Sequence, residues 1–315
     1  MCQAKKSIDA IIAAFAEYGY ICSDKIATAI FLATALEKPI LIEGPPGVGK
    51  TELANTAALV SGKELIRLQC YEGLDEAKAL YEWKYGKQLL YTQVLKEKLG
   101  DVLEGATGLD GAMARLHSFS DVFYSHEFLE PRPLLKALQS ELGAVLLIDE
   151  IDKADQEFES LLLEVLGHYQ TSIPELGTIK ANIPPRVFLT SNNTRDLSDA
   201  LKRRCLHLYI PYPDEKLEQK IIASRLPEID PDLNQQVVKF VQSLRELDLK
   251  KAPAISETID WARSLVLLQA NQLDRQLVRD TLNVLLKFEQ DIEAAEQALG
   301  ELLKPGITSS SRVLN

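Results

Sequence analysis

Cysteine is scarce in this 315-residue chain, and its four copies (Cys2, Cys22, Cys70, Cys205) fall at no spacing that would hold a metal. A disulfide-stapled fold is thereby excluded, and free thiols in a reducing compartment are expected. No apolar run approaches the ~20 residues of a membrane span. Positive charge is in deficit: 35 Lys and Arg against 46 Asp and Glu give a formal net charge of −11. That argues against a general nucleic-acid binder, which would carry a basic face. The four histidines (His117, His126, His168, His207) also lack metal-ligand spacing and are assigned no role. Lys5 and Lys6 precede an apolar segment from Ile8 to Tyr20, but Asp9 and Glu17 interrupt it. It reads as an amphipathic helix rather than a signal peptide, and the expected address is the cytoplasm. What is present, 46% hydrophobic and 26% charged residues, describes a globular chain long enough for one large or two ordinary domains.

The most informative stretch is Gly44-Pro45-Pro46-Gly47-Val48-Gly49-Lys50-Thr51. It fits G-x-x-x-x-G-K-[ST], with the apolar run Pro39–Ile42 before it and a helix-competent segment from Glu52 to Leu59 after it. Glycines let the backbone curl so that its N–H groups converge on an anion at a helix N-terminus. Lys50 is then expected to reach the β- and γ-phosphates of ATP, and the Thr51 hydroxyl to take a place on Mg²⁺. Gly44 to Thr51, with Glu52 opening the helix, are the predicted nucleotide-binding residues.

Taken in order, residues 7–18 and 23–37 read as helices, and Glu64–Cys70 as a second strand. Leu74–Leu80 looks helical, Tyr81, Trp83 and Tyr85 alternate like a strand, and Leu89–Leu99 looks helical again. The three aromatics are read as half-buried packing in preference to a partner-binding face. Residues 100–126, rich in glycine and polar side chains, read as an exposed insertion. A helix over Pro133–Leu142 stops at Gly143. Ala144–Ile148 reads as a central strand buried on both faces. There follow a helix over Asp155–Leu166, a hairpin at 171–180, a strand over Arg186–Thr190 and a fifth strand over Leu206–Ile210. Strands alternating with helices imply a parallel sheet. From Asp214 the pattern is helical through Lys304, and the last residues read as a disordered tail.

Three further constellations carry chemistry. Asp149-Glu150 closes the apolar strand: the first carboxylate can hold Mg²⁺, and the second can deprotonate the water that attacks the γ-phosphate. Asp152 extends the acidic stretch in a supporting role. At the end of the next strand, Asn192 or Asn193 could hydrogen-bond that water, with Asn192 preferred as nearer the strand. In Asp199–Cys205, a guanidinium from Arg203 or Arg204 could reach a neighbouring subunit's γ-phosphate.

In that order, Gly44–Thr51 looks like a Walker A motif, Leu146–Glu150 a Walker B, Thr190–Asn193 a sensor-1 segment and Arg203-Arg204 an arginine-finger site. Together with the helical C-terminal part they resemble the AAA+ ATPases. The runs Leu68–Asp75, Thr190–Leu197 and Ile255–Arg263 look like the CoxD-like branch of the MoxR family, a resemblance covering roughly residues 10–300. The resemblance implies a three-layer αβα sandwich with a five-stranded parallel sheet over residues 1–211, a helical lid at 212–305 and a tail at 306–315. It implies a ring, usually a hexamer, with the nucleotide between subunits. It implies a chaperone-like ATPase acting with a separate von Willebrand factor A-domain protein to mature or insert a metal cofactor into a metalloenzyme client. The insertion around 81–126 and the hairpin at 171–180 match the positions where the family carries loops toward the ring pore or a partner. One departure stands out: where the family places a sensor-2 arginine in a Ser-Pro-Arg context, this chain has Ala254-Ile255-Ser256-Glu257, with Arg263 two turns on. The alternatives are an AAA+ motor on nucleic acid, disfavoured by the net charge, and a nucleotide-gated scaffold with negligible hydrolysis.

Overall fold

The computed structural model describes residues 2–97, 124–174 and 176–303. The expected insertion falls largely on 98–123 and the expected tail on 306–315, both outside the described residues. Two compact units emerge, one from residues 28–43 and 54–208, the other from the described parts of 1–27, 44–53 and 209–315.

The first unit is built on a five-stranded sheet in the order β2-β5-β8-β1-β9: β1 (Ile40–Glu43), β2 (Glu64–Gln69), β5 (Ala144–Asp149), β8 (Arg186–Ser191) and β9 (Leu206–Tyr209). The pairings β2/β5, β5/β8 and β1/β8 are parallel, with Leu189 of β8 opposite Ile148 on one side and Leu41 on the other. Every residue of β5 is buried, as an apolar run needs when helices cover both faces. Helices α2 (Asp24–Leu36), α3 (Lys50–Ser61), α4 (Glu76–Ala79), α5 (Tyr85–Glu97), α6 (Pro133–Gln139), α7 (Gln156–His168) and α8 (Asp199–Arg204) alternate with the strands. Asp155 caps α7 by accepting from Phe158 N–H, and Ser198 caps α8 by accepting from Leu201 N–H. The expected hairpin is present as β6 (Gln170–Ile173) and β7 (Gly177–Lys180).

One stretch corrects the sequence reading. Tyr81–Trp83 is a strand (β3), but it ends there, and Tyr85 opens α5 with its side chain 66% exposed. The strand is short because its partner β4 (Leu129–Pro131), unrecognised in the sequence, offers only three residues of register. Tyr81 and Trp83 are partly buried against the core; Tyr85 is not part of that packing.

The second unit holds α1 (Cys2–Glu17), the glycine-rich loop and five C-terminal helices: α9 (Glu215–Arg225), α10 (Pro231–Arg245), α11 (Ile255–Leu267), α12 (Arg275–Leu285) and α13 (Glu289–Leu302). Leu233, Val237, Phe240, Val241 and Leu244 repeat at helical spacing on α10 and meet Trp261 and Leu265 of α11. Trp261 is fully buried and donates its indole N–H to the Thr281 hydroxyl at 2.8 Å, so no polar atom of the ring is stranded. A charge is buried here too. Glu218 of α9 accepts from Arg245 at 2.7 and 2.8 Å, from Gln242 at 2.7 Å and from the Thr258 hydroxyl at 3.1 Å. Among the described residues no helix is long and apolar enough to cross a membrane.

Breaking a buried, multiply bonded ion pair by removing one partner costs about 3–5 kcal/mol. Arg245→Met is accordingly expected to lower the unfolding free energy by about 3 kcal/mol in urea melts; a loss under about 1 kcal/mol would mean that Glu218 is rehydrated without cost.

Candidate functional site

In the second unit, the loop Gly44–Gly49 leads into α3 at Lys50. Gly44 has φ +152° and passes so close to Ile210 that a Cβ would lie 2.1 Å from the Ile210 carbonyl oxygen. Gly47 has φ +73°, and a Cβ there would meet Ala254 Cβ at 2.3 Å. Both positions exclude side chains on space as well as on backbone conformation. Lys50 Nζ donates to the carbonyl oxygens of Gly44 (2.7 Å) and Pro45 (2.8 Å), which closes the loop into a ring. Thr51 takes the next position of α3, followed by Glu52, whose carboxylate pairs with Arg225 of α9 at 2.6 Å.

Beside this loop is a cleft of about 380 Å³ whose walls include Ile21, Ile26, Ile210, Ile255 and Ile259, with Gly47, Val48 and Gly49 at one end. An apolar slot next to a glycine loop that opens a helix suits a flat heterocycle carrying phosphates. Burial, followed by the nearby Cys22 thiol and Glu52 carboxylate, raises the pKa of the Tyr20 phenol in the wall. Glu257, which stands near the expected sensor-2 position, turns inward on its own helix. It accepts from Ala254 N–H at 3.2 Å and from the Ser256 hydroxyl at 2.8 Å, so it serves as a cap. Arg263 and Arg225 are the cations lining the cleft.

The first unit holds the acidic residues. Asp149 ends β5 with its side chain buried; Oδ1 accepts from the Thr190 hydroxyl at 2.5 Å and Oδ2 from Arg67 at 2.5 Å. Glu150 sits at φ 57°, ψ 49°, the left-handed region, where a non-glycine residue is strained by about 1–2 kcal/mol. Its N–H donates to Thr190 Oγ1 at 2.9 Å; its carboxylate receives Gln69 at 2.7 Å, Lys153 at 2.6 Å and the Asn192 amide at 3.4 Å. Asn193 takes a different part: at φ 62° it makes the turn, its N–H on Ser191 Oγ. Asp152 is buried and accepts from Asn192 N–H, Thr194 N–H and the Thr194 hydroxyl. Burial pushes its carboxyl up, yet these three donors outweigh it and leave the group below its ordinary value. The thiol of Cys70 is driven up to about 12, first by burial and then by the charges of Asp149, Asp152 and Glu150.

The fold therefore gathers Asp149, Glu150 and Asn192 at one strand end, and gathers Gly44 to Glu52 around one loop. Arg203 and Arg204 end α8 with exposed side chains, Arg204 lying over Gly167 of α7. Sequence reasoning missed Arg67 and Gln69. They are two apart on β2, so they share a face, but only the β2/β5 register, with Gln69 opposite Asp149, brings them to the acids. His207, given no role, lies 2.7 Å from Glu43 at the end of β1.

A family model described as AAA domain (dynein-related subfamily) matches residues 39–205. An uncharacterized protein of Staphylococcus haemolyticus is 26% identical over 294 residues, covering 89% of this chain and 97% of its own. Another, of Staphylococcus aureus, is 26% identical over 274 residues, covering 84% and 90%. Among solved structures, the Thermotoga maritima RuvB Holliday junction branch migration motor is similar with a TM-score of 0.43 and 19% identity, covering 90% of this chain and 68% of that one.

Thr190 serves both Asp149 and the Glu150 backbone, so Thr190→Val, equal in shape, should destabilise the fold by about 1–3 kcal/mol in urea melts. For Asp152, the lowered carboxyl fixes the sign of a pH effect. The stability advantage of the wild type over Asp152→Asn should be full above the ordinary carboxylate pKa of about 4 and vanish as pH falls through the lowered folded value. Melts of both proteins from pH 7 down to 2 read this directly; an advantage that grows on acidification would contradict it.

Proposed function

We propose, from the premise that this chain belongs to the AAA domain family in its dynein-related subfamily, that it is an ATP-hydrolysing remodelling protein of the MoxR type. The family and the fold carry the coarser statement, a nucleotide-binding P-loop ATPase architecture. The reaction and its residues are our reading. The N–H groups of Gly44 and of Gly47 through Thr51 cradle the phosphates, Pro45 and Pro46 having none to offer; Lys50 leaves its carbonyl partners for the β- and γ-oxygens, and Glu52 opens the helix behind them. Val48, Gly47 and Gly49 line the apolar slot that takes the base.

The donor set suits Mg²⁺. Thr51 and Asp149 offer oxygen ligands only, the hard donors that Mg²⁺ takes through one or two carboxylates together with substrate phosphates. Bound there, Mg²⁺ supplies charge neutralisation at the β- and γ-oxygens. Glu150 takes the proton of the attacking water, and Asn192 orients that water. Arg204, or Arg203 beside it, completes the site of a neighbouring copy in a ring, which we take to be a hexamer.

The observation that carries this reading is Glu150 itself, held in a strained left-handed backbone at the end of the buried strand with the Asn192 amide on its carboxylate. The finer assignment rests on the runs Leu68–Asp75, Thr190–Leu197 and Ile255–Arg263. It adds a separate von Willebrand factor A-domain partner, a metalloenzyme client and a cytoplasmic setting. Residues 1–211 would then act as the ATPase domain and 212–305 as its lid.

Light scattering with and without ATP tests the scheme. Glu150→Gln should bind ATP as the wild type does, lose at least about a hundredfold in turnover and assemble near six protomers with ATP. A monomer under every condition removes the trans arginine and the ring. Turnover that rises on adding DNA at low salt replaces the remodelling reading with a nucleic-acid motor.

A further inference from the structure

We propose that Arg67 is a built-in competitor for the divalent cation at Asp149, so that the metal enters only by displacing this guanidinium. The proposal rests on the reading of Asp149 as a metal ligand and goes beyond it by adding a residue that sets the metal's affinity.

Three observations point this way. Arg67 Nη2 lies 2.5 Å from Asp149 Oδ2, a charge-assisted contact that occupies the oxygen a cation would use. The two partners differ in freedom: the Asp149 side chain is 4% exposed, that of Arg67 52%. The carboxylate cannot turn away, because Oδ1 is held by Thr190 and β5 is paired on both sides, by β2 and β8. The guanidinium can leave. Its second partner is Gln69 Oε1 on its own strand at 2.8 Å, and β2 is the outermost strand of the sheet, so its swing toward water breaks no ladder.

The physical chemistry of the exchange is plain. A buried carboxylate left without a counter-charge is costly, and Arg67 meets that need in the absence of metal. A divalent ion replaces one positive charge by two, but only after the arginine contact is broken. The metal therefore binds less tightly than the bare carboxylate would allow, and the phosphates of a bound nucleotide must supply the difference. Arg67 thus ties metal entry to nucleotide occupancy.

Binding of Mn²⁺ to the full chain with a non-hydrolysable ATP analogue, followed by the EPR signal of the free ion, tests this without turnover. R67Q should bind Mn²⁺ about tenfold more tightly than the wild type, the equivalent of one charge-assisted hydrogen bond. R67K, which keeps the charge but not the planar fork, should shift in the same direction by less. Affinity in R67Q equal to or weaker than the wild type overturns the proposal; if R67Q does not fold, the direction of the shift in R67K decides in the same way. D149N separates the two readings. Loss of Mn²⁺ binding in D149N with no change in R67Q sinks the competitor alone, whereas unchanged binding in D149N sinks the metal assignment and the competitor with it.

Discussion

A carboxylate at the end of a strand buried on both faces must be paired or hydrogen-bonded, and of the six acids this chain places over the eleven positions from Asp149 to Glu159, four are wholly or partly buried. Asp149, Asp152 and Glu159 are all buried, and Glu150 is half-covered between them. Left unpaired, each buried charge would cost several kcal/mol. Their partners come largely from one stretch, β8 and the loop after it. Thr190 serves Asp149, the Asn192 amide reaches Glu150, and Thr194 with Asn192 N–H serves Asp152. Arg195 and Ser198 N–H serve Glu159. The course of residues 190–198 is in this sense dictated by the charges it answers. The opposite side of the acids is answered by β2 through Arg67 and Gln69.

Features whose chemistry fixes residue type and spacing are the ones legible in the sequence. The glycine loop could be read because its chemistry requires fixed residue types at fixed spacing, and β5 because six consecutive buried positions leave only apolar residues before Asp149. Between Asn192 and Asn193 the sequence favours Asn192 only as nearer the strand. Backbone conformation, not legible in two adjacent amides, gives the two different parts, the Asn192 amide on Glu150 and Asn193 in the left-handed turn. Arg67 and Gln69 were invisible for another reason. Strand β2 neighbours β5 across an intervening stretch of more than seventy residues, and no local pattern announces such a pairing. Tyr85 was misread because alternation over three aromatics imitates a strand, while the partner β4 supports only the first two.

The helical string Ile255–Arg263 gives a contrasting case. It served as a family signature, and the structure shows why such a run is constrained. Glu257 caps the helix, Thr258 bonds the buried Glu218, and Trp261 fills the core and donates to Thr281. Most of its specificity is structural. The same helix start lies against Gly47, so capping of α11 and the curl of the glycine loop share one contact surface.

Glu218 has a mechanical meaning as well as a thermodynamic one. By accepting from α10 through Gln242 and Arg245, and from α11 through Thr258, it pins α9 to both neighbours at one buried point. Seven residues further along α9, Arg225 grips Glu52 in the first turn of α3. Two side chains seven residues apart thus fasten α9 at both ends of its length, one to the start of α3 and the other to α10 and α11.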